Sequence, residues 1–301
     1  MGAMLDWGLE VVRFAQRAAS PWLTAVVRGV TLLGAEWFFL AALPLVYWCV
    51  DRRRGARLGL LVLLSAFCNA WLKVFFAQPR PYQLDPSVGL ARETSYGLPS
   101  GHAQATATFW GAAAPLFRRP WGLALALGLP LIIGLTRVYL GVHFPTDLLA
   151  GWALGALFVL AEARLGDRIA RGFAALRGQL RLAVPAAIAL AMNAVYEQDT
   201  SLAGVFFGFS AGLVYAPAAA PFSAGGTAAK RCLRYLFGVA GVAVLYFAPK
   251  LLLGAAAAAP LARFLRYGIV GAWGSLGAPW LFLRLGLAER EPENGVQSAN
   301  A

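Results

Sequence analysis

The stretch LGLLVLLSAFCNAWLKVFFA, residues 58–77, decides the fold class of this chain. Lys73 is its one charged residue, and its length is about the 20 residues that an α-helix needs to cross a bilayer core. Arginines stand immediately before it at positions 52, 53, 54 and 57. A long apolar helix with a basic segment at one end is typical of a transmembrane span.

Similar apolar runs fill most of the remaining sequence. Of the 301 residues, 59% are hydrophobic and 13% are charged, whereas soluble domains carry about 25% charged residues. The further runs are residues 34–50, 103–117, 121–140, 148–160, 182–196, 202–220, 235–259 and 267–283. The sequence therefore predicts an all-α, polytopic integral-membrane helical bundle with about nine transmembrane helices.

The formal net charge of +12 is a signal of topology. Basic clusters stand in alternate loops, at residues 52–57, 118–119, 164–181 and 230–234. The positive-inside rule places these loops in the cytoplasm, so no nucleic-acid partner is expected. Arg263 and Arg266 fit this topology poorly: either they face outward and meet lipid headgroups, or the count of spans is wrong by one.

The chain ends suggest further segments. In residues 1–33, Asp6, Glu10, Arg13 and Arg17 share a helical face, which favours an amphipathic helix on the membrane surface; a solvated helix is the alternative. Acidic residues in this segment argue against a cleavable signal peptide. We predict a core at 34–162, a basic cytoplasmic linker at 163–181, accessory transmembrane helices at 182–287 and a disordered tail at 288–301.

The chain has two histidines, His102 and His143, both in or beside the loops opposite the basic clusters. Ser100 and Gly101 precede His102 at the start of an apolar run. A serine there can cap a helix, glycine permits close approach of a ligand, and a helix N-terminus attracts anions. A helix cap alone would explain Ser100 but not the adjacent histidine.

His143 and Asp147 are four residues apart, one helical turn. An aspartate at this spacing can hold one imidazole nitrogen and leave the other as a nucleophile. Lys73, Arg80 and Arg137 supply the cations that a phosphoryl group needs. Taken one at a time, Asp147 could simply be a charge at a helix start, and Arg137 a residue that snorkels to the membrane edge.

Together these residues resemble the three signature motifs of the type 2 phosphatidic acid phosphatase superfamily, which includes vanadium haloperoxidases and bacterial acid phosphatases. The motifs are Lys73-x6-Arg80-Pro81, Pro99-Ser100-Gly101-His102 and Arg137-x5-His143-x3-Asp147. The resemblance covers roughly residues 34–162. Thr136 stands where the family usually has serine, and it keeps the hydroxyl.

The resemblance implies that His143, oriented by Asp147, attacks phosphorus. His102 would protonate the leaving oxygen and then activate water. Lys73, Arg80, Ser100, Gly101 and Arg137 would bind the phosphate oxygens. No metal and no cofactor are expected. The cysteines, Cys49, Cys68 and Cys232, lack the spacing of a disulfide framework or a zinc site.

The sequence thus predicts a lipid phosphate or diphosphate phosphatase with its site at the outer membrane face. Candidate substrates are undecaprenyl diphosphate, phosphatidylglycerol phosphate, phosphatidate and sphingoid base phosphates. Phosphotransfer to another acceptor is one alternative, and a non-catalytic transporter or scaffold with the same fold is another. The dominance of arginine and alanine suggests a bacterial inner membrane. Oligomeric state is not indicated.

Overall fold

The computed structural model describes residues 2–291, and the regular secondary structure in this range is helical apart from one antiparallel bridge between Phe222 and Arg290. The described α-helices are α1 Gly2–Ala15, α2 Pro21–Thr31, α3 Glu36–Cys49, α4 Arg52–Phe76, α5 Pro81–Leu84, α6 Gly101–Ala113, α7 Trp121–Tyr139, α8 Pro145–Ala175, α9 Gly178–Val195, α10 Ser201–Ala219, α11 Ala228–Leu253, α12 Pro260–Ala272 and α13 Ala278–Arg284. The predicted all-α fold is confirmed, including the N-terminal helix.

The predicted count of about nine spans is not confirmed. Among the described helices, six are long and apolar enough to cross a membrane, or up to seven if the pair Pro21–Gly34 and Glu36–Cys49, bent by 44°, is one span. α6 has 13 residues, which is about 20 Å of helix against a hydrocarbon core of about 30 Å. The final apolar run is interrupted by a π-helical segment at Trp273–Gly277.

The chain divides into two compact units, residues 1–40 with 64–170 and residues 41–63 with 171–301. In the first unit, α8 lies very close to α6. A Cβ atom on Gly151 would come within 2.6 Å of the Ser100 carbonyl oxygen, and one on Gly155 within 2.6 Å of the Ala107 Cβ. These two glycines let the start of α8, which carries Asp147, approach the start of α6.

The N-terminal helix α1 packs on this same unit. Val12 is fully buried in a cluster with Val88, Ala103, Val138 and Leu148. The Gln16 side chain donates hydrogen bonds to the backbone oxygens of Val88 at 2.8 Å and Tyr139 at 2.7 Å. One apolar face of α1 therefore meets protein, while Trp7 and Phe14 on other faces are exposed.

The second unit has its own aromatic core, in which Tyr47, Trp48, Phe222 and Phe282 are buried. Its chain remains structured past the predicted start of the tail at residue 288, because the Ser223 amide donates to the Glu289 carbonyl oxygen at 2.9 Å. Ala288 is buried in the same core. The rest of the predicted tail, residues 292–301, lies outside the described residues.

Candidate active site

Asp147 lies in the first turn of α8, fully buried, and accepts hydrogen bonds at both carboxylate oxygens. Its Oδ2 accepts from His143 Nδ1 at 3.1 Å and from the Phe144 amide at 3.0 Å. Its Oδ1 accepts from Gln78 Nε2 at 2.6 Å. Three donors therefore fix the orientation of the carboxylate, and the carboxylate in turn fixes the His143 ring.

The neighbours of His143 determine which nitrogen carries the proton. Arg80 Nη1 lies 3.2 Å from His143 Nε2, and a guanidinium group can only donate. Nε2 must therefore accept, which assigns the proton to Nδ1 and to the bond with Asp147. Burial, and then the positive charges of Arg80, Lys73 and Arg137, hold the pKa of His143 well below its ordinary value. A neutral imidazole with its Nε2 lone pair toward a cation is suited to nucleophilic attack on an anionic ester.

Arg80 is 2% exposed and is held by the chain around it. Its Nε donates to the Ser95 carbonyl oxygen at 2.6 Å, its Nη1 to that of Val142 at 2.8 Å, and its Nη2 to that of Tyr96 at 3.0 Å. Lys73, near the end of α4, donates to the carbonyl oxygens of Tyr96 at 2.6 Å and Gly97 at 3.2 Å. Both cations therefore hold the same loop and are fixed in position by it.

Ser100 is the N-cap of α6, where its side chain accepts from the Ala103 amide at 3.4 Å. The Ser100 amide donates to the backbone oxygen of Asp147 at 2.9 Å, which ties the start of α6 to the start of α8. A Cβ atom on Gly101 would lie 3.1 Å from Asn69 Oδ1. Amides in the first turn of a helix have no acceptor within the helix, so this end of α6 suits an oxyanion.

Arg137 lies in the last turn of α7 and is 3% exposed. Its Nη1 donates to Thr31 Oγ1 at 2.9 Å, and its Nη2 donates to the Glu93 carboxylate. Its Nε is buried and has no hydrogen-bond partner among the described residues. A buried donor without an acceptor is costly, and an oxyanion bound beside it would remove that cost.

His102 is half-buried in the first turn of α6. A Cβ atom on Gly34 would lie 3.1 Å from its Cδ2 atom. His102 directly follows Ser100 and Gly101, so it lies at the same start of α6 as these two residues. The structure thus brings the eight sequence-predicted residues to one place, while the catalytic role of each stays a prediction.

Several other polar residues of this site were not predicted, and Gln78, Glu93, Asn69 and Gln104 are among them. Gln78 contacts Asp147, and Glu93 contacts Arg137. Asn69 and Gln104 contact each other at 2.8 Å. Asn69 and Gln104 are amides within apolar runs, a signal that could have marked them, because polar side chains inside a membrane span are usually functional or paired.

Groups of three or more histidine, cysteine, aspartate or glutamate side chains that could hold a metal ion are not found among residues 2–291. The side chains gathered here are instead cations, a histidine–aspartate pair and a second histidine. That the protein needs no metal and no cofactor stays a prediction.

Fold and site together define a helical membrane protein with three buried cations near a buried histidine–aspartate pair. Residues 54–171 match the model of the PAP2 superfamily, and residues 200–290 match the model described as PAP2 superfamily phosphatase, transmembrane extension. The chain is 30% identical over 164 residues to phosphatidylglycerophosphatase B of Bacillus subtilis, which covers 50% of this chain and 79% of that protein. The chain therefore belongs to the PAP2 superfamily, and the family predicted from its motifs is confirmed.

Other relatives share the core. An undecaprenyl-diphosphatase of Sulfolobus acidocaldarius is 33% identical over 127 residues, 40% of this chain and 58% of that protein. The crystal structure of a transmembrane PAP2 type phosphatidylglycerolphosphate phosphatase from Bacillus subtilis has a TM-score of 0.49 and 26% identity, and covers 56% of this chain and 89% of that one. The two sequence relatives are named as phosphatases, which supports phosphatase activity in this chain. The extension match includes most of the predicted accessory helices.

Proposed function

We propose that this protein is an integral-membrane lipid phosphatase that hydrolyses a phosphate or diphosphate ester through a phosphohistidine on His143 Nε2. The observation that carries the proposal is the arrangement around this ring: Nδ1 lies 3.1 Å from the Asp147 carboxylate and Nε2 lies 3.2 Å from Arg80. The carboxylate fixes the tautomer, and the guanidinium marks where a phosphoryl oxygen would sit beside the nucleophile.

In the first step the Nε2 lone pair of His143 forms a bond to phosphorus, and the bond from phosphorus to the lipid oxygen breaks. His102 donates a proton to that leaving oxygen. Asp147 stabilises the positive charge that develops on the phosphorylated ring. In the second step His102 removes a proton from water, the water oxygen bonds to phosphorus, and the phosphorus–nitrogen bond breaks to release phosphate and neutral His143.

The remaining predicted residues bind the oxygens on which negative charge is redistributed. Lys73, Arg80 and Arg137 supply positive charge, and Ser100 and Gly101 supply the start of α6. Because each of the three cations is buried and already held by neighbouring groups, their positions are largely set before phosphate binds. Arg137 must exchange its Glu93 contact, or share it, when phosphate binds.

A membrane lipid is the substrate class that fits a family of integral-membrane phosphatases. The relatives are named for different lipids, phosphatidylglycerophosphate and undecaprenyl diphosphate among them, so the headgroup is left to experiment. We place the protein in a bacterial inner membrane because arginine and alanine dominate its composition. The basic loops predict that its site faces the periplasm. Hydrolysis is proposed to need no metal.

Phosphate release from the four candidate lipids, with the protein purified in detergent and excess chelator present, tests this function. We expect chelator-resistant release from at least one lipid. Brief reaction with a ³²P-labelled substrate should label the wild-type protein with an acid-labile, alkali-stable phosphate. His143→Asn should abolish both signals, whereas the exposed control Arg118→Gln should keep them. Normal release by a folded His143→Asn protein would refute the nucleophile.

Topology has its own test. A cysteine placed at the exposed Ser87, in a protein whose other cysteines are replaced by serine, should react with a membrane-impermeant maleimide in intact spheroplasts. A cysteine placed at Lys230 should react only after permeabilisation. The reverse pattern would place the site in the cytoplasm.

A further inference from the structure

A second cluster of cations lies outside the site described above, in the unit formed by residues 41–63 and 171–301. Lys250 in the last turn of α11 and Arg263 and Arg266 at the beginning of α12 line one cavity of about 140 Å³. This is several times the volume that one water molecule needs, and it is enough for a tetrahedral phosphate group. The two arginines are those that fit the predicted topology poorly.

The charges of this cluster are not balanced within the described residues. Asp199 forms an ion pair with Arg263 at 3.5 Å, but no ion pair of Lys250 or Arg266 is found among residues 2–291. Three cations and one carboxylate leave an excess of two positive charges. An anion entering the cavity would therefore meet a net attraction.

Arg266 is the best-positioned member of the cluster. Its guanidinium lies over the rings of Tyr246 at 5.3 Å and Tyr267 at 5.4 Å. Its Nη1 donates to the Ala257 carbonyl oxygen at 3.3 Å. Its Nε is buried and lacks a hydrogen-bond partner in the described part of the chain. The two rings hold the guanidinium in place and leave a donor that a bound oxyanion would satisfy.

The surface beside the cavity is apolar. Leu251 is 82% exposed, Leu252 85% and Leu261 69%. A group of cations at the edge of exposed leucines matches a ligand that joins an anionic headgroup to hydrocarbon chains. The cluster also lies toward the opposite end of α11 from Lys230, because Lys230 and Lys250 are separated by about 30 Å along the helix. This separation is about the thickness of the hydrocarbon core of a bilayer.

We propose that Lys250, Arg263 and Arg266 bind the phosphate of an anionic phospholipid whose acyl chains lie along the adjacent leucines. Inorganic phosphate shares the headgroup chemistry, but the exposed leucines favour the lipid. This site is separate from the catalytic residues and does not depend on the proposed hydrolysis. It gives the transmembrane extension a ligand of its own.

Lipid retention by the purified, full-length protein tests the proposal. Native mass spectrometry would compare dioleoyl phosphatidylglycerol with dioleoyl phosphatidylcholine, each at equal concentration in detergent. Wild-type protein should retain phosphatidylglycerol preferentially. Lys250→Gln with Arg266→Gln should weaken that retention at least about tenfold, since a hydrogen bond to a charged group contributes enough for that factor. Lys230→Gln, at the other end of α11, is the matched control and should change nothing.

Each other outcome would overturn the proposal. Equal retention by the double variant would exclude this cluster as the site. Equal retention of phosphatidylcholine would show that apolar contact alone binds the lipid. If inorganic phosphate were retained as tightly as phosphatidylglycerol at equal concentration, the ligand would be free phosphate. If the double variant does not fold, Lys250→Gln alone decides, because this exposed side chain can be changed without disturbing the packing, and unchanged retention by that variant would also refute the proposal.

Discussion

Replacing Asp147 by asparagine tests the hydrogen bonds at the centre of the site. The carboxylate accepts from three donors: the His143 ring, the Phe144 amide and the Gln78 side chain. An asparagine has one oxygen, which accepts, and one NH₂ group, which only donates, so the NH₂ group must face a partner that donates to the carboxylate in the wild-type protein. The Phe144 amide can only donate, which draws the oxygen toward Phe144 and His143. The NH₂ group then faces Gln78, whose own amide can turn over to accept.

This geometry sets the size of the effect. If His143 keeps its tautomer, the variant loses the carboxylate charge but not the orientation of the ring. Two charge-assisted hydrogen bonds become neutral ones, at about 1 kcal/mol each, which gives about a 30-fold decrease in kcat. A wrong tautomer would cost about 10⁴-fold, as in the serine protease triad. The loss falls on kcat because the positive charge that Asp147 stabilises develops only as phosphorus bonds to nitrogen.

The assay is the initial rate of phosphate release by purified Asp147→Asn over a range of lipid concentrations. Adding Gln78→Glu to this variant supplies a carboxylate that accepts from the asparagine NH₂ group, so the double variant should be faster than Asp147→Asn alone. In the wild-type background the same Gln78→Glu change sets two carboxylates side by side and should slow the enzyme. A kcat of Asp147→Asn within twofold of wild type, or a second substitution that slows both backgrounds, would refute this account.

Three further predictions follow from the site and its support. Arg137→Lys should raise KM for the lipid about tenfold, measured by phosphate release, because one ammonium group cannot reproduce the fork of a guanidinium; an unchanged KM would remove Arg137 from the binding site. Glu93→Gln should lower the inhibition constant of inorganic phosphate, since the neutral amide competes less for Arg137, and a higher constant would contradict this. Gly141→Ala should lower Tm, because Gly141 has a φ of 69° and a Cβ atom would come within 1.9 Å of the Val88 carbonyl oxygen. The control Gly128→Ala, with open space around it, should not lower Tm, and equal melting of the two variants would refute the steric argument.

The sequence predicts the helical membrane fold because long apolar runs have few other stable structures. The sequence predicts the length and number of the transmembrane helices less well, because some apolar runs contain a break in the helix. The run at 103–117 gives α6, which ends at Ala113, and then a short 3₁₀ helix at Ala114–Leu116. Pro115 lacks the amide that would continue the α-helix. Near the C-terminus, hydropathy does not predict the π-helical segment Trp273–Gly277, because hydropathy depends on which residues are present and not on how their backbone is hydrogen-bonded.

Part of the candidate site could be predicted from the sequence, because binding and transfer of phosphate require particular residue types, some of them at a fixed spacing. Lys73, Arg80 and Arg137 could be selected as cations, and His143 with Asp147 as a pair one turn apart. Gln78 and Glu93 could not. Gln78 lies 69 residues from Asp147 in sequence and Glu93 lies 44 from Arg137, so their contacts exist only after the helices pack.

The N-terminal helix shows where sequence pattern reaches its limit. The charged face of α1 indicates an amphipathic helix. The sequence does not show whether its apolar face contacts lipid or protein, because both surroundings suit apolar side chains. The structure places Val12 among buried side chains, and a Cβ atom on Gly8 would come within 2.7 Å of the Phe144 ring. Phe144 directly follows His143, so α1 packs against the segment that carries the proposed nucleophile. Because His143 must hold its ring within hydrogen-bonding distance of both Asp147 and Arg80, support for this short segment matters to the chemistry as well as to stability. The sequence predicts that α1 lies at the membrane surface, and its contacts show that α1 also packs within the unit that carries the candidate site.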